Sequence, residues 1–153
     1  MKYDIKIVNA EIIDGTGNRP FNGEIGIKNG RIKKVADSVA GDANTEIDAK
    51  GHFTSPGFID LHTHCFPGPT INYLQQGVTT VVGGNCGFGY GRVDKSIQDL
   101  KKSGKNKKVL QGPNFALLAG HNNIRIEVMQ RDNRAPSKTE LDKMKQLLKE
   151  EID

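Results

Sequence analysis

The chain has 153 residues, the size of one ordinary domain, and 35% of them are hydrophobic, with 18 glycines in addition. This composition is typical of a globular protein and excludes a disordered or collagen-like chain. The formal net charge of +4 is mild, so it indicates no nucleic-acid partner. No apolar run approaches the roughly 20 residues that a membrane-spanning helix needs, so we expect no membrane partner either.

The chain contains two cysteines, Cys65 and Cys86, and its first residues, MKYDIKIVNA, alternate charged and apolar side chains instead of forming a secretory signal. Free cysteines without an export signal fit a reducing compartment, so we expect a cytoplasmic protein. No Cys-x-x-Cys pair occurs, which argues against a zinc finger.

Residues 1–56 show the period-two alternation of half-buried β-strands. The predicted strands span residues 3–8, 24–28, 31–35, 46–49 and 52–54. Asn29-Gly30 predicts a tight hairpin turn, because both residues tolerate positive φ. The last two strands look like a further hairpin. We therefore expect a first domain, residues 1–56, built as a small antiparallel sheet.

The pattern changes at Pro56-Gly57. Buried-type strands are predicted over residues 58–61, 78–82 and 115–119, and helices over residues 70–76 and 96–102. A final helix is predicted after Ser137, which forms a capping box with Glu140. Its apolar stripe comprises Leu141, Met144, Leu148 and Ile152. Alternating strands and helices predict βα units with a parallel sheet, so residues 57–153 have the α/β fold class.

His62-Thr63-His64 follows an apolar strand, and residues i and i+2 of a strand project to the same side. Both imidazoles can therefore reach one metal ion at the end of a parallel strand, where active sites of such folds lie. A coincidental or surface pair is the alternative. Asp60 could orient a ligating histidine, or it could make an ordinary structural hydrogen bond.

Cys86 follows the strand at residues 78–82, and a thiolate beside two imidazoles is a ligand set that suits zinc. Free cysteines are more commonly buried small residues, which is the alternative. Cys65 has the opposite parity from the two histidines, so we expect it to be structural. The glycines around Cys86 fit no phosphate-binding motif and predict close backbone approach instead.

His121 follows the third predicted strand of the second domain, and Arg125 comes four residues later. Both could bind substrate, with Arg125 receiving a carboxylate, or both could have structural roles in a loop. The lysine-rich segment KKSGKNKK at residues 101–108 could bind phosphate, but it is more typical of a solvated loop.

Four blocks of the sequence resemble the D-aminoacylase (N-acyl-D-amino-acid deacylase) branch of the amidohydrolase superfamily. They are the opening MKYDIKIVNAEIIDGTGNRPFNGEIGIKNGRIKKVA, then IDAKGHFTSPGFIDLHTH, QGVTTVVGGNCGFG, and the stretch that begins AGHNNIR. The resemblance covers essentially the whole chain, and the combination of blocks is more specific than any one of them.

This resemblance implies the N-terminal part of a metal-dependent (β/α)8 barrel, preceded by a small β-sandwich segment. It implies zinc as the cofactor, with His62, His64 and Cys86 as metal ligands, and it matches His121 to a family histidine. The implied reaction is hydrolysis of the amide bond of a small-molecule N-acyl-D-amino acid by metal-activated water. Cys86 argues against the related cyclic-amide hydrolases and deaminases, which stay as an alternative.

A complete (β/α)8 barrel takes about 250 residues, so the resemblance covers an incomplete barrel. The family's later metal ligands and general acid/base would lie beyond Asp153. We therefore expect the isolated chain to be inactive and to need the rest of the barrel or an oligomer partner. A truncated, non-catalytic metal-binding or interaction module is the second alternative.

Overall fold

The structure is a computed structural model that describes residues 1–64, 71–87, 92–93, 95–98 and 112–152. The chain divides into two compact units, Met1–Pro56 and Gly57–Asp153. Cys65 and the lysine-rich segment at residues 101–108 lie outside the described residues, so the predictions for them are untested. No helix in the described ranges is long and apolar enough to cross a membrane.

The first unit is a five-stranded sheet. Its strands are β1 (Tyr3–Ile12), β2 (Phe21–Lys28), β3 (Arg31–Ala36), β4 (Ala43–Asp48) and β5 (Phe53–Thr54). The sheet has the order β3-β2-β1-β4, and β5 also pairs with β1. Ala10, Ile12 and Ile25 are buried at the centre of its core. Asn29 and Gly30 have φ values of 52° and 66°, which confirms the predicted turn between β2 and β3.

The prediction of an antiparallel sheet is wrong for the end of this unit. The β1–β2 and β2–β3 pairs are antiparallel, but β4 and β5 both lie parallel to β1 and form no hairpin with each other. Period-two alternation predicts a strand but not the direction of its partner. Here the residues after β4 bond to β1 itself: the Val8 carbonyl accepts the Ala49 N–H at 2.9 Å, and the Asn9 carbonyl accepts the Gly51 N–H at 2.8 Å. The turn after β4 therefore stays beside β1, and the chain continues in the same direction.

The second unit contains a parallel sheet with helices. Its elements are β6 (Phe58–Asp60), α1 (Ile71–Gln75), β7 (Val78–Gly83), β8 (Asn114–Leu117), α2 (His121–Met129) and α3 (Lys138–Ile152). The three strands have the order β6-β7-β8 and are all parallel, as predicted. Val81 of β7 is fully buried. Residues 95–98 are helical, and the rest of the helix predicted over residues 96–102 lies outside the described residues.

Helix α3 begins as predicted with a capping box. The Ser137 N–H donates to Glu140 Oε2 at 2.7 Å, and the Glu140 N–H donates to Ser137 Oγ at 3.3 Å. The predicted stripe is only partly covered: Met144 is buried, whereas Leu148 is 42% exposed and Ile152 is 73% exposed. The strand predicted over residues 115–119 ends at Leu117, so His121 is the first residue of α2 and does not directly follow a strand.

Candidate metal centre

Thr63 lies between His62 and His64 and is the buried residue of the three. Strand β6 ends at Asp60, one residue earlier than predicted, so the histidine pair follows the strand instead of belonging to it. The two-residue alternation nevertheless persists. Thr63 is buried, and both its N–H and its Oγ1 donate to the Val82 carbonyl of β7 at 3.0 Å. The histidines on either side of it are exposed.

The Asp60 side chain hydrogen-bonds to the backbone where β6 ends. Its Oδ1 atom accepts the His62 N–H at 3.1 Å. This is an Asx-type contact that holds the chain where the strand ends. It supports the interpretation of Asp60 as a structural hydrogen-bonding residue.

Cys86 lies in a tight turn directly after β7. Gly84, Cys86 and Gly87 have φ values of 83°, 60° and 78°, the left-handed region that favours glycine. A Cβ on Gly84 would meet the backbone of Leu118, and one on Gly87 would lie 2.9 Å from the side chain of Asn122. The prediction of close backbone approach is thus confirmed at Gly84, whereas Gly89 and Gly91 lie outside the described residues. Cys86 itself is exposed, so the alternative of a buried small residue is wrong.

The turn brings the Cys86 thiol to both imidazoles. The Sγ atom lies 3.3 Å from His62 Nε2 and 3.6 Å from His64 Nε2. The two imidazole ring centroids are 5.4 Å apart. The potential ligand atoms, one from each of the three residues, all lie within 4.8 Å of one another. This is the group of potential metal-ligating side chains found within the described residues.

These distances fit a zinc ion. Zn–S bonds of about 2.3 Å and Zn–N bonds of about 2.05 Å at the tetrahedral angle put sulfur and nitrogen about 3.6 Å apart. The two measured separations are close to that value, and each imidazole presents Nε2, one of the two histidine nitrogens that ligate metals. Two imidazoles and a thiol are also the donor types that zinc prefers. The same three side chains could hold one another by weak S–H···N contacts when no metal is present.

The structure does not bring His121 or Arg125 into this group. His121 is exposed, although its neighbour Asn122 donates a backbone N–H to the Gly87 carbonyl at 2.8 Å, so the start of α2 abuts the Cys86 turn. Arg125 Nη2 donates to the carbonyls of Asp132 and Arg134 at 2.9 and 2.7 Å. These contacts favour a structural role in the loop after α2, and substrate binding by either residue stays a prediction.

Sequence reasoning missed the residues that support the site. Thr63, Asn85 and Asn122 all make hydrogen bonds or close contacts around the three candidate ligands. The adjacency of Thr63 and Asn85 to the ligands was the available signal. Their partner, the Val82 carbonyl, has no side-chain signature in the sequence.

Comparison with known proteins shows that the chain is similar to deacylases, although no protein-family model matches it. N-acyl-D-aspartate deacylase of Alcaligenes xylosoxydans xylosoxydans is 31% identical over 97% of this chain and 34% of that protein. D-aminoacylase of the same organism is 29% identical over 97% of this chain and 35% of that protein.

A solved structure gives the same result. The crystal structure of N-acyl-D-glutamate deacylase from Bordetella bronchiseptica superposes with a TM-score of 0.81 at 30% identity, covering 98% of this chain and 36% of that chain. That protein was crystallised with zinc and a phosphonate inhibitor that mimics the tetrahedral intermediate of its reaction. The chain thus spans about a third of the length of the relatives it matches. Its homologues are the D-aminoacylases and N-acyl-D-amino-acid deacylases of amidohydrolase fold, which confirms the resemblance found in the sequence.

Proposed function

We propose that this chain is part of a zinc-dependent amidohydrolase that hydrolyses the amide bond of N-acyl-D-amino acids. The observation that carries the proposal is the group of His62, His64 and Cys86 at the carboxyl end of a parallel sheet. The relatives supply the reaction class, since they include deacylases of N-acyl-D-aspartate and N-acyl-D-glutamate.

In this proposal the zinc would be held by Nε2 of His62, Nε2 of His64 and the thiolate of Cys86. Three protein ligands leave one coordination position open, as in catalytic zinc sites, whereas structural sites are closed by four. When bound, the metal would polarise a substrate carbonyl and activate water near neutral pH. All three side chains are exposed, so an acyl group has access to them.

The three ligands would not complete a hydrolase by themselves. Amide hydrolysis also needs a group that delivers a proton to the leaving amine. In the part of the chain that the structure describes, no carboxylate joins the ligand group. We therefore expect the 153-residue chain to bind metal without releasing amino acid from an N-acyl-D-amino acid.

The proposal extends to the fold. Strands β6, β7 and β8 follow one another in chain order and are parallel, and the ligands follow the carboxyl ends of the first two. This is how the first strands of a (β/α)8 barrel are arranged. We assign the second unit to the start of such a barrel, to be completed by further strands or by an oligomer partner.

Cobalt binding tests the ligand assignment. Co²⁺ titrated into the wild-type chain should give tetrahedral d–d bands and a thiolate-to-cobalt charge-transfer band. Cys86→Ala should remove the charge-transfer band, and both it and His62→Ala should weaken binding by more than about tenfold. Affinity should also rise with pH, because a thiol must ionise to bind.

Two matched controls accompany this titration. Cys65→Ala removes the other cysteine, and His52→Ala removes a histidine of the first unit whose Nδ1 lies 2.7 Å from the Ala49 carbonyl oxygen. Both should leave the cobalt spectrum unchanged. Weaker binding in Cys65→Ala together with normal binding in Cys86→Ala would contradict the assignment.

A second measurement separates the enzyme from a non-catalytic module. The intact mass of the protein from its natural source should be several times 16.8 kDa if the chain is part of a deacylase. A mass near 16.8 kDa would favour the metal-binding or interaction module instead.

A further inference from the structure

One backbone oxygen receives hydrogen bonds from both segments that carry the candidate ligands. The Val82 carbonyl accepts the Thr63 N–H and the Thr63 hydroxyl, each at 3.0 Å. It also accepts Asn85 Nδ2 at 2.8 Å. We call these three contacts the Val82 hub.

The residues of the Val82 hub adjoin every ligand. Thr63 lies between His62 and His64, and Asn85 immediately precedes Cys86. The hub oxygen itself belongs to β7, the central strand of the described three-stranded sheet, next to the fully buried Val81. The two loop segments that together carry all three ligands are therefore hydrogen-bonded to one backbone oxygen of the central strand.

Cys86 needs such support because of its backbone conformation. A non-glycine residue at φ 60° persists only where the surrounding structure holds it there. Asn85 holds the turn from one side through Val82, and the Asn122 N–H holds it from the other side through the Gly87 carbonyl at 2.8 Å. The strain is thus offset by contacts immediately before and after the cysteine.

We propose that Thr63 and Asn85 are positioning residues, which set the 3.3 and 3.6 Å separations between Cys86 Sγ and the two imidazoles before a metal binds. The inference rests on the proposed function in so far as these separations are ligand separations. Its physical basis is preorganisation: groups that hold ligands in place typically change metal affinity by about 10- to 100-fold when they are removed.

The test compares side-chain hydrogen bonds to backbone carbonyls near the two ends of β7. Asn85→Ala removes the side-chain donor to Val82, and Thr63→Val removes the hydroxyl donor while keeping the shape. Asn114→Ala is the matched control, because Asn114 Nδ2 donates to the Thr79 carbonyl at 3.1 Å, near the opposite end of the same strand. Thr63→Ser retains a hydroxyl and serves as the conservative rescue.

The first readout needs no metal. In the metal-free chain, nuclear Overhauser contacts between the His62 and His64 ring protons and the Cys86 β-protons should be present in wild type, Asn114→Ala and Thr63→Ser. They should be weakened or lost in Asn85→Ala and Thr63→Val. If Thr63 and Asn85 had only a structural role, Asn85→Ala and Thr63→Val would lower thermal stability, as Asn114→Ala should, without changing these particular contacts.

The second readout is cobalt affinity. Asn85→Ala should weaken binding by about 10- to 100-fold and shift the charge-transfer band, while Asn114→Ala leaves both unchanged. Unchanged ring–cysteine contacts and unchanged affinity in Asn85→Ala would overturn the inference, whatever the state of Thr63→Val. If wild type binds no cobalt but the contacts depend on Asn85 as expected, the positioning role stands and the ligand assignment fails.

Discussion

Cys86 shows how one residue's backbone conformation can matter as much as its side-chain chemistry. Its φ of 60° aims a thiol at two imidazoles that lie 24 and 22 residues earlier in the chain. A left-handed conformation costs a residue with a Cβ about 1–2 kcal/mol, and such strain concentrates at functional sites. The position of the thiol therefore depends on the glycines beside it as well as on the cysteine.

Gly87→Ala tests that dependence at the residue scale. The new Cβ would lie 2.9 Å from Asn122 Nδ2, so the Asn122 side chain or the turn must move. Alanine would also be strained at φ 78°, so we expect the Cys86 turn to shift. We expect cobalt affinity to fall by about tenfold or more, as for loss of a supporting contact. Isothermal titration calorimetry with Co²⁺ measures this change in affinity.

Gly30→Ala is the control for backbone strain alone. Gly30 also has positive φ, at 66°, but a Cβ there would meet nothing within 4 Å. This variant should lower stability by about 1–2 kcal/mol and leave cobalt affinity intact. Equal cobalt affinities in the two variants would show that the position of the thiol does not depend on glycine at residue 87.

At the scale of elements, α3 starts with an ion pair built onto its capping box. Arg134 Nη1 and Nη2 donate to Glu140 Oε2 and Oε1 at 2.8 and 2.6 Å, while the Ser137 N–H donates to Oε2. The Arg134 guanidinium, followed by the Ser137 donors, holds the pKa of the Glu140 carboxyl well below its ordinary value of 4.5. We therefore expect the start of this helix to be sensitive to acid.

The sign of the pH effect follows from this lowered pKa. A carboxyl with a depressed pKa in the folded state stabilises the fold at pH values above its unfolded pKa, and that contribution is lost as the pH falls through the folded pKa. We expect Glu140→Gln to melt at a lower temperature than wild type at pH 7. The difference should shrink progressively below about pH 4.5. Circular dichroism melts from pH 3 to pH 7 test this, and a difference that does not vary with pH would contradict it.

At the scale of the whole molecule, the sheet of the second unit has apolar surface at an edge. Among the described strands, β6 pairs only with β7. Its residues Phe58 and Ile59 are 62% and 61% exposed, and the following Leu61 is 70% exposed. An exposed apolar edge strand is a template for association with another chain. We therefore expect the isolated chain to self-associate as its concentration rises.

Ile59→Lys should reduce that association, because a charge on an edge strand opposes pairing. Ile32→Lys is the matched control: Ile32 is 64% exposed on β3, an edge strand that already carries Arg31, Lys33 and Lys34. Sedimentation velocity over a range of concentrations measures both. A monomeric wild-type chain, or equal effects of the two substitutions, would contradict the prediction.

Local features of this protein were predictable because they depend on neighbours in the sequence. The Asn29-Gly30 turn requires only two residues that tolerate positive φ, and the Ser137–Glu140 capping box requires only residues three apart. The His62-Thr63-His64 alternation is equally local, and it survives although the regular strand ends at Asp60. The sequence by itself thus determined where strands occur along the chain and where the final helix begins, and it singled out the three residues that meet.

The tertiary structure decided which distant backbone groups satisfy one another. Alternation predicts a strand but does not say which direction its partner runs, so the predicted hairpin of residues 46–49 and 52–54 is wrong, and β4 and β5 both lie parallel to β1. The Val82 hub could not be predicted from the sequence for a similar reason. Every residue carries a backbone carbonyl, and only the pairing of the strands decides that Thr63 and Asn85 meet the carbonyl of Val82. Side-chain types therefore identify the candidate ligands, whereas long-range backbone hydrogen bonding determines the distances between them.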